Sequence, residues 1–158
     1  MALKKWTKSA QSLRPDPRYA SALVSKFINT MMWDGKKAVS QRTFYQTMQL
    51  VEDRIKDTPA LTIFETAVNN VKPHVEVRSK RVGGATYQVP MSVGPKRQQA
   101  LAFRWIIQAA RARKGKAMSY RLADELVAAY NREGAAHTQR ENVHKMADAN
   151  KAFAHFAW

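Results

Sequence analysis

The chain has no cysteine among its 158 residues. Disulfides, thiolate zinc sites and a thiol nucleophile are excluded together, and nothing in the sequence indicates redox chemistry. Long apolar runs are also missing. The longest apolar-rich segment, Ala100 to Ala112, is broken by Arg104, Gln108 and Arg111 and is too short and polar to cross a bilayer. The N-terminal MALKKWTKSAQSLRPDP is positively charged but lacks the apolar stretch of a signal peptide, so a cytoplasmic location is expected. Acids are scarce: 12 Asp and Glu stand against 27 Lys and Arg, a formal charge of +15. That excess goes beyond what solubility requires and points to a nucleic acid as partner rather than a membrane.

The shortage is most severe from Lys72 to Arg121, where twelve Lys or Arg meet a single acid, Glu76. A solvated helix interleaves both signs at i,i+4, whereas Arg111, Arg113, Lys114, Lys116 and Arg121 run with no acid between them. Their mutual repulsion is relieved by phosphate. Catalytic constellations are absent from the pattern. His74, His137, His144 and His155 show no metal-ligand spacing and read as solvated or RNA-facing. Asp124 and Glu125 are adjacent, hence on different helix faces, and read as solvated surface. Gly83-Gly84 is not followed by the Lys and Ser or Thr of a phosphate loop and leads into a strand. No cofactor, metal or enzymatic activity is expected.

The periodicity predicts one mainly α domain over residues 1–158: a bundle-like body of six helices, an inserted, protruding, two-stranded antiparallel β-ribbon, and a flexible basic N-terminal arm at 1–18. Asp16 is expected to cap the first helix, which Asp34-Gly35 stops, and a second helix runs from about Lys36 to Lys56. Thr58-Pro59 opens a third, ended by Lys72-Pro73. The ribbon occupies 74–91. Behind Gly94-Pro95 lies a long helix to about Arg113, then a fifth capped by Ser119 and closed by Gly134. A sixth runs from about Thr138 through Met146 to Phe153. Trp33, Trp105, Met31 and Met32 read as core.

In VEVRSKRVGGATYQVP, Gly83-Gly84 supplies the positive φ of a two-residue turn between β-rich runs. Pairing 82 with 85 sets Lys80 opposite Tyr87 and Arg78 opposite Val89, with cations and an aromatic on one face. Tyr87 reads as a base-stacking residue in preference to a shield for Lys80. A lone hairpin is marginal in water, so it leans on the helical body at its base.

Five segments, LRPDPRYAS, FINTMMWDGKKA, VNNVKPHVEVRSKRVGGATYQVPMSV, RQQALAFRWIIQAAR and ENVHKMADANKAFAHFAW, occur in an order that resembles the bacterial small-subunit ribosomal protein seven family. The resemblance covers nearly the whole length. It implies a non-enzymatic protein that binds the 3′ domain of 16S ribosomal RNA, nucleates assembly of the subunit head and lies near the exit-site tRNA and the mRNA path. A contact with small-subunit protein eleven is implied as well. Candidate RNA-binding residues are Lys4, Lys5, Lys8 and Arg14 in the arm; Lys36 and Lys37; and Arg78, Lys80, Arg81, Gly83, Gly84 and Tyr87 in the ribbon. Lys96, Arg97, Arg111, Arg113, Lys114 and Lys116 join them around the long helix. The chain departs from the family pattern where Ala-Leu-Lys-Lys-Trp-Thr-Lys replaces an arginine-rich start and where Ala157 stands in place of a common Arg.

Two other classes are weighed against this. A DNA-bending architectural protein would carry an apolar wedge at the arm's tip, where this chain has Val82-Gly83-Gly84-Ala85, and no DNA is expected. An RNA-modifying enzyme would need a cofactor loop or catalytic set, and the sequence holds neither.

Overall fold

Prolines and residues of positive φ mark most of the element boundaries. The computed structural model describes residues 13–157 and divides the chain into two compact units, Met1–Tyr45 and Gln46–Trp158. Lys4, Lys5 and Lys8 of the expected arm lie outside the described residues. The elements are α1 (Ala22–Met31), α2 (Lys37–Arg54), α3 (Ala60–Val71), β1 (Val75–Val82), β2 (Ala85–Ser92), α4 (Pro95–Ala112), α5 (Met118–Tyr130), α6 (Gly134–Ala149) and a 3-10 helix, Lys151–Phe156. A mainly α architecture with an inserted two-stranded antiparallel ribbon is what the periodicity predicted.

In the first unit, Asp16 caps a single helical turn that precedes α1 rather than α1 itself. Its Oδ2 accepts the amide hydrogens of Arg18 and Tyr19 at 3.0 and 3.1 Å, closing a turn, and the helix begins only at Ala22. Pro17 is the first residue of that turn, the Ala20 amide donates to the Asp16 carbonyl at 2.8 Å, and the positive φ of Ala20, 49°, ends the turn before α1. The Tyr45 hydroxyl donates to Asp16 Oδ1 at 2.8 Å. Burial, helped by that carboxylate, pushes the Tyr45 hydroxyl up to about 12. Arg18 lies over the Tyr19 and Tyr45 rings, and Phe27 and Tyr19 both meet Phe44. Val24, Phe27, Ile28, Met31 and Phe44 are buried. Met32 is half-exposed, and Trp33, expected in the core, is 69% exposed because α1 ends before it.

In the second unit α3, α4 and α5 pack against one another, and α6 lies against all three and against β1. Ile63, Phe64, Val68, Phe103, Ile106, Leu122 and Leu126 fill the space between them. Two boundaries differ from the sequence reading. Ser119 is buried inside α5 rather than capping it, and its carbonyl accepts the Thr47 hydroxyl at 3.2 Å. Gly134 opens α6 instead of closing α5. The left-handed closing residue is Arg132, φ 62°, with Arg132 N–H donating to the Ala129 carbonyl and Glu133 N–H to that of Ala128. These are the paired bonds of a Schellman ending.

Glu125, read as surface from sequence, is fully buried. Its Oε2 accepts from Arg113 at 2.7 Å and its Oε1 from the Ala136 amide at 2.8 Å. Its neighbour Asp124 pairs with Arg54 at 2.7 Å. Gly134, φ 88°, fits here because it has no side chain. A Cβ would stand 2.9 Å from Ala128 Cβ and 2.9 Å from Glu125 Oε1. Gly134→Ala should therefore cost about 2 kcal/mol or more, combining left-handed strain with displacement of the Glu125 carboxylate. A urea denaturation midpoint indistinguishable from that of the unaltered chain would contradict this assignment.

Candidate nucleic-acid interface

The ribbon pairs in the expected register, with Lys80 across from Tyr87 and Arg78 across from Val89. Gly83 and Gly84 take φ of 58° and 89°, the left-handed turn that the dipeptide permits. Strand alternation puts Glu76, Arg78, Lys80, Tyr87, Val89 and Met91 on one face and Ser79, Arg81, Thr86 and Gln88 on the other. The first face turns toward the protein. Val89 is fully buried, and the Tyr87 ring lies 5.3 Å from Phe153 and 5.2 Å from Phe156, centroid to centroid. Lys80 Nζ donates to the Phe156 carbonyl at 3.0 Å. The 3-10 helix thus engages the aromatic and one of the cations that the sequence reading turned toward a partner. Arg81, on the opposite face, is exposed.

Glu76, the lone acid of the basic stretch, organises the ribbon's base. It is 9% exposed; its Oε1 pairs with Arg78 and its Oε2 with Arg97 at 3.1 Å. Both arginines keep about half of their side-chain surface in solvent, 51% and 49%. They can meet an external anion with their remaining donors while holding Glu76. Lys96 is exposed beside them at the start of α4.

The other cationic group sits at the opposite end of α4, about 27 Å away along an 18-residue helix. It does not simply repel itself. Arg113 pairs with buried Glu125, and Arg121 donates to the Arg111 and Arg113 carbonyls at 3.3 and 2.5 Å, where the negative end of the helix dipole favours a cation. Lys114 and Lys116 flank Gly115 on an exposed loop. Arg104, exposed midway along α4, is a cation that the sequence reading treated only as an interruption of an apolar run.

In the first unit Lys36 and Lys37 are exposed, and Lys37 is the first residue of α2. The first turn of α2 holds no acid, so these cations stand at the positive end of a helix dipole, an arrangement that an external anion relieves. Lys36 has one weak exposed pair, with Asp34 at 3.8 Å. Arg14 is exposed, and its carbonyl accepts the Ser25 hydroxyl at 2.7 Å.

The histidines are not solvated as a group. His144 Nε2 accepts the His74 amide hydrogen at 3.2 Å, with the two rings 5.9 Å apart, so it ties α6 to the ribbon's base. Burial, reinforced by Arg140, lowers its pKa from the ordinary 6.5, and the same two causes lower that of His137. Glu141 opposes the shift in both, while His74 adds to it at His144 and Arg132 at His137. No group of His, Asp or Glu among the described residues is arranged to hold a metal ion. An open groove of about 340 Å³ is lined by Trp105, Gln108, Ala109, Ala112, Ala135 and Gln139, which bring no acid or base. Trp105 is half-buried there.

Because the folded chain binds protons at His137 and His144 less tightly than the unfolded chain, protonation favours unfolding. Their stabilising contribution is complete above the ordinary value of 6.5 and declines as pH falls through and below it. The urea midpoint should drop between about pH 7.5 and about pH 5.5, and a His137→Asn, His144→Asn variant should show a smaller drop. Equal drops in both proteins would refute the assignment.

Comparison with known proteins adds an independent line. Residues 3–151 match the family described as ribosomal protein S7p/S5e. A small ribosomal subunit protein uS7 of Rhodopirellula baltica is 57% identical over 154 residues, covering 96% of this chain and 98% of the relative. The uS7 of Natranaerobius thermophilus is 56% identical over 148 residues, 94% of each chain. That of Thermotoga neapolitana is 50% identical over 148 residues, 94% of this chain and 95% of its own.

Proposed function

The chain belongs to the ribosomal protein S7p/S5e family, and on that premise we propose that it binds the 3′ domain of 16S ribosomal RNA and nucleates assembly of the small-subunit head. Membership makes it a structural, non-enzymatic component of the small ribosomal subunit that works in a ribonucleoprotein with ribosomal RNA and other ribosomal proteins. The finer reading adds a position near the exit-site tRNA and the mRNA path and a contact between the C-terminal segment and small-subunit protein eleven.

The observation that carries the RNA-binding reading is how the few acids are used. Glu76, Asp124 and Glu125 are each tied to an arginine, while Arg81, Arg104, Lys96, Lys114 and Lys116 remain exposed along the ribbon and α4. Cations spread along a helix about 27 Å long suit several phosphates of a folded RNA rather than one small anion. The mechanism is neutralisation of phosphates together with recognition of RNA shape. Lys36, Lys37 and Arg14 of the first unit, with Lys4, Lys5 and Lys8, belong to the same reading. Arg78, Arg97 and Arg113 contribute through the donors that their carboxylate partners leave available. Gly83 and Gly84 contribute by allowing the tight turn.

Exposed cations that pair with no carboxylate among the described residues give the cleanest test, since truncating Arg78, Arg97 or Arg113 would also take a donor from a buried acid. Replacing Arg81, Lys96, Lys114 and Lys116 together with Ala should weaken binding to a 3′-domain transcript. It should also reduce the slope of log affinity against log salt by about three units. Unchanged affinity and slope would reject the reading.

A further inference from the structure

Trp33 is the most exposed large apolar side chain among the described residues, at 69%. A lone exposed aliphatic side chain needs no explanation, but the largest aromatic held in water on a constrained turn does. Asp34 and Gly35 take φ of 50° and 70°, and the Lys36 amide donates to the Trp33 carbonyl at 2.9 Å. Two consecutive left-handed residues closed by that bond define a tight turn, which brings the Cα atoms of Trp33 and Lys36 within about 7 Å. The next bond, from Lys37 N–H to the Gly35 carbonyl at 2.8 Å, carries the turn directly into α2. The turn therefore places an exposed indole three and four residues before two exposed lysines.

We propose that Trp33 is a nucleobase-stacking residue, which receives an unpaired base of the RNA whose phosphates meet Lys36 and Lys37. The proposal rests on the RNA-binding reading above and adds to it a site of different chemistry. Every base presents a π-face, so an indole plane stacks bases without reading their edges, while adjacent cations hold the backbone. Charge complementarity favours RNA over an apolar protein partner: Lys36 and Lys37 are exposed directly after the turn and the first turn of α2 holds no acid, so the exposed large apolar side chain there, Val39, sits among cations.

Stacking and phosphate contact differ in their response to salt, and the test uses that difference. Affinity for a 3′-domain transcript is measured across a salt series for the full chain, Trp33→Ala, Trp33→Phe and a Lys36→Ala, Lys37→Ala variant. Trp33→Ala should weaken binding about tenfold with the salt slope unchanged, and Trp33→Phe should retain most of the affinity. The double lysine variant should reduce the slope by about 1.5 to 2 units. Ultraviolet crosslinking of the unaltered chain to the same transcript should leave a nucleotide adduct on Trp33, a readout that requires no variant to fold. If Trp33→Ala binds like the unaltered chain and no adduct forms, while the lysine variant still loses affinity, Trp33 does not stack and RNA binding stands. Loss of affinity for another small-subunit protein in Trp33→Ala, with RNA affinity intact, would make the turn a protein contact and overturn the proposal. Absence of binding by the unaltered chain would overturn both readings.

Discussion

The second unit depends on one buried carboxylate. Glu125 lies on α5, takes a guanidinium from Arg113 just beyond the end of α4, and accepts an amide hydrogen from the first turn of α6. An ionised group with no solvent exposure is stable only when its oxygens are occupied, and here each has a donor. The constraint propagates. Gly134 must lack a Cβ because the carboxylate occupies that volume, and Arg132 must adopt the left-handed conformation so that α6 can start over it. The orientation of α6 then determines where β1 and the histidine contact at the ribbon's base can lie.

The same device recurs at the ribbon. Glu76 draws Arg78 from its own strand and Arg97 from α4, joining the hairpin to the helix that follows it. A hairpin with little core of its own is thereby anchored at its base by ion pairs and along one face by Val89, Tyr87, Phe153 and Phe156. In a chain with so few acids, each acid used internally has two effects. It fastens two elements, and it withdraws negative charge from the surface that an RNA backbone would approach.

Local chemistry made much of this legible in the sequence. The Gly83-Gly84 turn set the register of eight cross-strand pairs, because a two-residue turn leaves one pairing that keeps the apolar positions together. Proline placed the ends of α3 and the start of α4. What escaped were features decided by tertiary contact. Nothing adjacent to Glu125 shows that it is buried, since its partners Arg113 and Ala136 each lie eleven or twelve residues away. Gly134 looked like a helix stop because glycine usually fills the left-handed closing position, which Arg132 holds here. The sixth helix, drawn from about Thr138 to Phe153 through Met146, starts four residues earlier and ends at Ala149, and Met146 is 52% exposed. Periodicity alone cannot say which stripe of a modestly amphipathic helix turns inward.

The candidate interface was legible as a charge pattern but not as a set of roles. Counting cations identified the ribbon and both ends of α4. Only the three-dimensional pairing separates Arg78, Arg97 and Arg113, which hold acids, from Arg81, Lys96, Lys114 and Lys116, which are exposed and pair with no acid among the described residues. The ribbon shows why the distinction matters. Strand alternation assigns Lys80 and Tyr87 to one face and Arg81 to the other, but alternation is symmetric and does not say which face is inward. That is decided by the 3-10 helix, which comes some seventy residues later and closes on the Lys80 and Tyr87 side. A charged or aromatic residue next to a turn is thus ambiguous until the chain's remote end is placed. Arg81 on the outer face and the half-exposed Arg78 near the base are the ribbon cations that stay in solvent while the C-terminal segment keeps its contacts.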